Sequence, residues 1–357
     1  MSHLAIRADG NAEIGYGHLV RTNVLAVEFL KREHDVTYLT RTPTTVSSVC
    51  EASVEIVDVR QNEIAEILSW LSENDVDVLL TDSYRADTEY QQTVSDSAPI
   101  LATITDDTRF ELCCDLNING NVHAPDIDYD WTDTKPEMLV GTEYLLLRDA
   151  FRKLVKRNPP WRDEPARALV TFGGSDMNNS TPSVVRSFDG SDIEVDVIIG
   201  PGFTNEAEIA SATQRTDAEF NLLRDPDNLP QLMFDADFAV SAVGSTVYEL
   251  LVTGTPVIGI PQTRNQVPIT DGLSSREAII PVKTGPDTVP HNTRSSADPQ
   301  LLNINLDTLV EEVSRAISRF TTDTELRRQL RDRGLSLIDG DGSARIYNEM
   351  EQLINHG

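Results

Sequence analysis

A chain of 357 residues with 39% hydrophobic content is long enough for two domains, each able to bury its own core. Its formal charge of -28 comes from 58 acidic against 30 basic residues, only five of them lysine, so the surface repels nucleic acid and anionic lipid and neither is predicted as a partner. No segment approaches the roughly 18 apolar residues of a membrane span, no basic stretch leads an apolar run at the N-terminus, and Cys50, Cys113 and Cys114 have neither disulfide nor zinc spacing. A cytoplasmic protein without stable membrane insertion is expected.

The first element is a strand over residues 3–8, in which Leu4 and Ile6 alternate with smaller or polar residues. It runs into a turn holding Gly10, Gly15 and Gly17, then into a helix whose Leu19, Leu25, Ala26, Phe29 and Leu30 recur at helical spacing. His18 stands at the mouth of this turn, beyond the carboxyl end of a strand, where open α/β sheets bind their ligands. A histidine at a helix start is also commonly a cap or a surface residue. Gly15-Tyr16-Gly17 leads to Val20 where a dinucleotide fingerprint needs a third small residue, so a nicotinamide enzyme is not predicted.

Further strands are predicted at 35–40, 54–58, 77–81, 99–104 and 115–118, alternating with amphipathic segments in the pattern of a parallel sheet flanked by helices. Asp82-Ser83-Tyr84 and Thr105-Asp106-Asp107 follow two of them and place polar groups on the sheet edge that carries His18. Capping is the ordinary role of such carboxylates. Adjacent aspartates without a third ligand spacing predict no metal. The stretch 152–167, with Asn158-Pro159-Pro160-Trp161 inside it, marks a boundary and gives a first domain over 1–155, a linker over 156–166 and a second domain over 167–357.

The second half repeats the alternation, with strands at 168–172, 194–199, 219–223, 237–241 and 256–260 and a helix from about 179. Gly173-Gly174-Ser175-Asp176 and Val243-Gly244-Ser245-Thr246 are turns that would present backbone N–H groups to a diphosphate, although tight strand-to-helix packing explains either turn as well. Glu249, one helical turn after Thr246, is placed to reach ribose hydroxyls, or is a commonplace exposed helix glutamate. Asn265 and Gln266 offer side-chain amides to a sugar, or form a turn. A polar surface loop holding His291 is expected over 284–304, followed by helices near 305–319, 323–337 and 343–355.

Four segments recur in one order over residues 3 to about 280: Arg7-Ala8-Asp9 with Ile14-Gly15-Tyr16-Gly17-His18-Leu19-Val20-Arg21; Asp82-Ser83-Tyr84 with Asp106-Asp107; Leu146-Leu147-Arg148-Asp149-Ala150-Phe151; and Gly173-Gly174-Ser175-Asp176 with Gly244-Ser245-Thr246, Glu249 and Asn265-Gln266. In combination they resemble the UDP-sugar hydrolases of the pseudaminic acid pathway, a family similar to the family 28 glycosyltransferases and sharing their GT-B fold. The resemblance implies two Rossmann-like doubly wound domains facing one another across a cleft. It implies His18 as catalytic base, with Asp9 and Tyr84 near the reacting sugar and Gly15, Tyr16, Gly17 and Arg21 shaping its pocket. Uridine diphosphate would be held by Gly174, Ser175, Gly244, Ser245, Thr246 and Glu249, and the sugar met by Asn265 and Gln266, with no cofactor or metal. The chain departs from the family at Ser83, where a histidine can stand, at 284–304 and in a longer helical tail. The implied reaction is hydrolysis of a UDP-linked amino sugar for polysaccharide biosynthesis. A glycosyltransferase using the same base, or a non-catalytic nucleotide-sugar sensor, would carry the same motifs.

The carboxylate excess also suggests adaptation to a salt-rich cytoplasm, because at molar salt the Debye length falls to about 3 Å and screens the self-repulsion of an acidic surface. Circular dichroism in dilute buffer and in molar KCl checks this: the folded signal and melting temperature should both rise with salt, and a salt-independent melt counts against it.

Overall fold

The computed structural model describes residues 2–11, 14–50, 53–155, 157–283 and 301–356. Most of the loop expected over 284–304, His291 included, therefore lies outside the described residues. Among the described residues, thirteen strands build two sheets in which every strand pair is parallel. The first contains β1 (His3–Ala8), β2 (Asp35–Thr40), β3 (Glu55–Asp58), β4 (Val78–Asp82), β5 (Leu101–Ile104), β6 (Leu116–Asn119) and β7 (Glu137–Val140), in spatial order β3-β2-β1-β4-β5-β6-β7. The second contains β8 (Arg167–Thr171), β9 (Glu194–Ile199), β10 (Glu219–Arg224), β11 (Phe238–Ala242), β12 (Val257–Ile260) and β13 (Ile279–Pro281), in order β10-β9-β8-β11-β12-β13. Each sheet reverses its winding once, between β1 and β4 and between β8 and β11. Doubly wound sheets open a crevice at the carboxyl ends of such a strand pair.

β7 and β13 are additions to the sequence expectation. Both are short strands added at one end of their sheet, and although each is apolar in sequence (Met138-Leu139-Val140 and Ala278-Ile279-Ile280-Pro281-Val282), runs this brief do not distinguish a strand from another buried segment.

Strand alternation decides which side chains reach which helical layer. Leu4, Ile6 and Ala8 of β1, Val78 and Leu80 of β4, and Ala102 and Ile104 of β5 pack with Leu19, Leu25 and Phe29 of the helix Gly17–Leu30. Ala5, Leu79 and Leu101 face the opposite layer, with Ile67 and Leu71 of the helix Glu63–Glu73. By the same parity Asp82 and Asp106 are delivered to the side of the Gly17–Leu30 helix, and Arg7 and Asp9 to the other.

The described residues divide into two compact units, one running to Asp149 and resuming at Gly340, the other running from Ala150 to Asp339. The boundary thus falls before the expected linker at 156–166. That linker is fastened within the second unit: Arg331 donates to the carbonyl of Pro159 at 2.9 Å, and Arg327 lies over the Trp161 ring at 4.9 Å. The last helix, Gly342–His356, departs from the expectation that 167–357 form one domain. Ile346, Tyr347 and Met350 complete the core on the Gly17–Leu30 helix, where the Tyr347 ring meets Phe29 edge-on at 4.9 Å and its hydroxyl bonds His34 Nε2 at 2.8 Å. Its apolar stripe, unlike the two helices before it, has its partner at the start of the chain. No helix among the described residues is long and apolar enough to cross a membrane.

Ile346→Ala deletes a fully buried side chain from this junction and should cost about 2–5 kcal/mol. Hydrogen exchange followed by mass spectrometry should show the helix Gly17–Leu30 losing protection while the second sheet keeps its own; loss confined to the second sheet would contradict the assignment of the tail.

Candidate functional site

Gly15, at φ +83°, takes the backbone conformation that a side chain would disfavour and turns the chain into the helix Gly17–Leu30. His18 is the second residue of that helix and is 7% exposed. Its Nδ1 meets Asp82 Oδ1, at the carboxyl end of β4, at 2.6 Å. One turn along the helix, Arg21 donates to Asp82 from Nε and Nη2, both at 2.6 Å, and from Nη1 to the two oxygens of Asp106 at 2.8 and 2.9 Å. The Tyr84 ring stands edge-on to the imidazole with centroids 4.6 Å apart, and the Arg109 guanidinium covers that ring at 4.7 Å while pairing with Asp107. These side chains line a cavity of about 40 Å³, space for a few water molecules rather than a sugar ring.

The electrostatics follow from this wiring. Burial opposes ionisation of Asp82, but Arg21 and His18 outweigh it and hold the carboxyl well below the usual carboxylate range. An ionised Asp82 accepts, so the bond to His18 fixes the tautomer with the proton on Nδ1 and leaves the Nε2 lone pair available. Among the described residues Nε2 has no hydrogen-bond partner. Burial, reinforced by Asp106, pushes the Tyr84 phenol up to about 12, so it stays protonated and able to donate.

The structure brings together His18, Tyr84 and Arg21 of the expected residues, with Gly15, Tyr16 and Gly17 forming the turn that starts the helix. Asp9 lies elsewhere. One of its oxygens pairs with the fully buried Arg7 at 2.6 Å and the other accepts from the Thr40 hydroxyl and the Arg41 N–H at 3.0 and 2.7 Å, a tie between the ends of β1 and β2 on the opposite side of the sheet. Asp9 is thus paired within the protein and is not among the side chains that line the His18 cavity. Asp82 and Asp106, given capping roles by the sequence, instead hold the histidine and the arginine. Their register with the inward-facing Leu80 and Ile104 was the available signal.

In the second unit the turn after β8 differs from expectation. The helix Thr181–Arg186 starts later than residue 179, and its first N–H groups, those of Ser180 and Thr181, donate to the Asp176 carboxylate at 2.8 Å each. Gly173-Gly174-Ser175 therefore does not itself open a helix. It packs on the loop after β9, where Gly202 N–H donates to Gly174 O at 2.8 Å and a Cβ on Gly200 would fall 2.3 Å from Gly173 O. The turn after β11 does open a helix, Ser245–Val252, with no side-chain cap and no acidic residue in its first turn. Gly173, Gly244, Thr246 and Gln266 converge there: a Cβ on Gly173 would lie 3.5 Å from Thr246 Oγ1, and one on Gly244 3.5 Å from Gln266 Nε2. Ser245 is exposed at the helix start, and Glu249 is half-buried one turn on. Asn265 accepts from the Thr263 hydroxyl at 2.6 Å in an exposed turn. No group of three or more His, Cys, Asp or Glu among the described residues could hold a metal.

No family model matches the chain. It is 23% identical over 357 residues to the spore coat polysaccharide biosynthesis protein SpsG of Bacillus subtilis, which covers 98% of both chains. It is 24% identical over 264 residues to the UDP-2,4-diacetamido-2,4,6-trideoxy-beta-L-altropyranose hydrolase of Campylobacter jejuni, covering 73% of this chain and 92% of the relative. A third relative, an uncharacterised protein of Methanocaldococcus jannaschii, is 26% identical over 274 residues, and the chain spans only 56% of its length. Among solved structures, MurG of Acinetobacter baumannii superposes with a TM-score of 0.66 at 10% identity over 99% of this chain and all of the other. The calicheamicin glycosyltransferase CalG4 does so with 0.66 at 14% over 99% of each. The fold is GT-B.

A carboxyl group whose ionisation is favoured by folding contributes stability above its unfolded pKa of about 4 and loses it as the pH falls through its lower folded value. Asp82→Asn should therefore lower the urea midpoint most near neutral pH, with the gap to the parent chain narrowing below about pH 4. A gap that is constant with pH would place the effect outside the Asp82 charge.

Proposed function

We propose that this chain hydrolyses a UDP-linked amino sugar at the anomeric carbon, releasing UDP and the free sugar. The observation that carries the reading is the 2.6 Å bond from His18 Nδ1 to Asp82, which leaves Nε2 as a base at the carboxyl edge of the first sheet. The likeness to a named UDP-sugar hydrolase supports the substrate class. In this reading Nε2 takes a proton from the attacking water, and Asp82 stabilises the imidazolium that forms without itself taking the proton. Tyr84 keeps the ring upright by edge contact and donates from its phenol. The C-terminal unit binds the diphosphate at the uncapped start of the helix Ser245–Val252, where backbone N–H groups and the Ser245 and Thr246 hydroxyls serve in place of lysine. Glu249, one turn further, is assigned to the ribose hydroxyls, Gly174 and Ser175 to shaping the phosphate site, and Gln266 to the sugar. UDP leaves as a stable anion, so charge stabilisation matters more than protonation.

A second reading, transfer of the sugar to an acceptor hydroxyl, is favoured by the glycosyltransferases among the structural neighbours. Both readings use the same base. Incubation with UDP-amino sugars alone separates them: UDP release without an acceptor supports hydrolysis, and release only with one supports transfer.

His18→Ala should lower turnover by about two to four powers of ten while UDP affinity is kept. In the same calorimetric titration Glu249→Ala should weaken UDP binding with the fold intact. Near-parental turnover in the first variant, or unchanged affinity in the second, would remove the residue from its assigned role.

A further inference from the structure

We propose that Arg21 is a positioning residue that offsets the Asp82 charge facing the His18 imidazole, rather than a contact to the sugar; this rests on the base assignment above. Four hydrogen bonds carry its guanidinium onto two carboxylates, Nε and Nη2 onto Asp82 and Nη1 onto both oxygens of Asp106. A guanidinium presents five N–H donors in a fixed fork. With four bonds spent inside the protein, little of it remains for a ligand.

The same wiring sets the charge that His18 experiences. An aspartate alone beside an imidazole favours the imidazolium, which would disarm a base. Here the Asp82 charge is compensated by Arg21, and Arg21 Nη2 itself stands 3.3 Å from His18 Nδ1, where a second positive charge is unfavourable. The groups facing the imidazole are Asp82 from the end of β4, Arg21 from its own helix and the Tyr84 ring from the loop after β4. Behind them stand Asp106 beyond β5, which shares Arg21, and Arg109, which covers Tyr84 and pairs with Asp107. Asp106 also accepts from Asn121 at 3.0 Å, which anchors it while it draws on Arg21. Asp106 is therefore a lever on the cation. Neutralising it leaves Arg21 to Asp82 and His18 alone, whereas neutralising Arg21 leaves two uncompensated carboxylates near the imidazole.

The two substitutions must then act in opposite directions, which a purely structural role would not produce. In Arg21→Met the acid limb of the kcat/KM profile for UDP release should move to higher pH by about one unit, with Arg21→Lys returning it most of the way. In Asp106→Asn it should move to lower pH. The imidazole titration of His18, followed by long-range proton–nitrogen NMR in the ligand-free protein and assigned with His18→Gln, should shift in the same two directions. This arm needs no substrate. If no UDP-sugar is turned over, the reading of the reaction fails while the titration still decides the role of Arg21. If Arg21→Met does not fold, Asp106→Asn and Arg21→Lys decide it. A titration that stays in place in Asp106→Asn, or that moves the same way in both variants, overturns the proposal, as does a fall in kcat with an unmoved acid limb.

Discussion

The site depends on one carboxylate shared by two partners. Asp82 is fully buried at the end of β4, next to the strand that begins the chain, and its two oxygens are occupied by His18 and Arg21. Burial of a lone carboxylate would be prohibitive. It is tolerated because the half-buried Arg21 answers its charge, and the histidine inherits a fixed tautomer from the arrangement. His18 and Arg21 lie three residues apart on one helix, so a single turn presents both to the same acceptor. The acceptor comes from β4 because the sheet reverses its winding there and places β4 beside β1.

The two sheets are variations on one plan with different fillings at the reversal. In the first, the helix that follows β1 carries an imidazole and a cation against acidic strand ends. In the second, the helix that follows β11 begins with Gly244-Ser245-Thr246 and brings no charge of its own to its first turn. The Asp176 carboxylate closes the other candidate helix start by taking its N–H groups, whereas the helix start after β11 has no side-chain cap. Backbone amides carry partial positive charge at fixed positions and lose no side-chain entropy when an anion arrives.

Much of this was legible in the sequence. The alternation of apolar runs gave eleven strands close to their observed places, and the glycine turns marked both winding reversals. What was not legible has physical reasons. β7 and β13 are short strands at the sheet ends, and their apolar runs are too brief to be told from another buried segment. The last helix reads as one more amphipathic segment, and nothing local says that its stripe belongs to a core begun more than three hundred residues earlier. Asp9 and Asp82 look alike as strand-end aspartates, and nothing in their local sequence says which of the two meets His18. Counting in twos from the buried residues separates them, since Leu80 shares its side with Asp82 and Arg7 shares its side with Asp9.

A chain with 58 acidic residues and 30 basic ones has few cations to place, and five of the thirty are lysine. The positions where one cation meets two carboxylates show why arginine dominates. Arg7 reaches Asp9 and Glu63, and Arg21 reaches Asp82 and Asp106, each bridging two carboxylates with one planar fork. Arg327, fully buried like Arg7, donates to the carbonyls of Arg162 and Asp163 and so fastens this stretch of the second unit to the helix Thr324–Leu337. A lysine ammonium is a more strongly hydrated point charge and does not match the planar, bidentate geometry of two carboxylates in this way. The acidic composition therefore reaches the interior of the molecule: where carboxylates are buried near the end of β1 and near the end of β4, an arginine is placed to hold a pair of them. At the β4 end that pairing also leaves an imidazole beside a charge that is already answered.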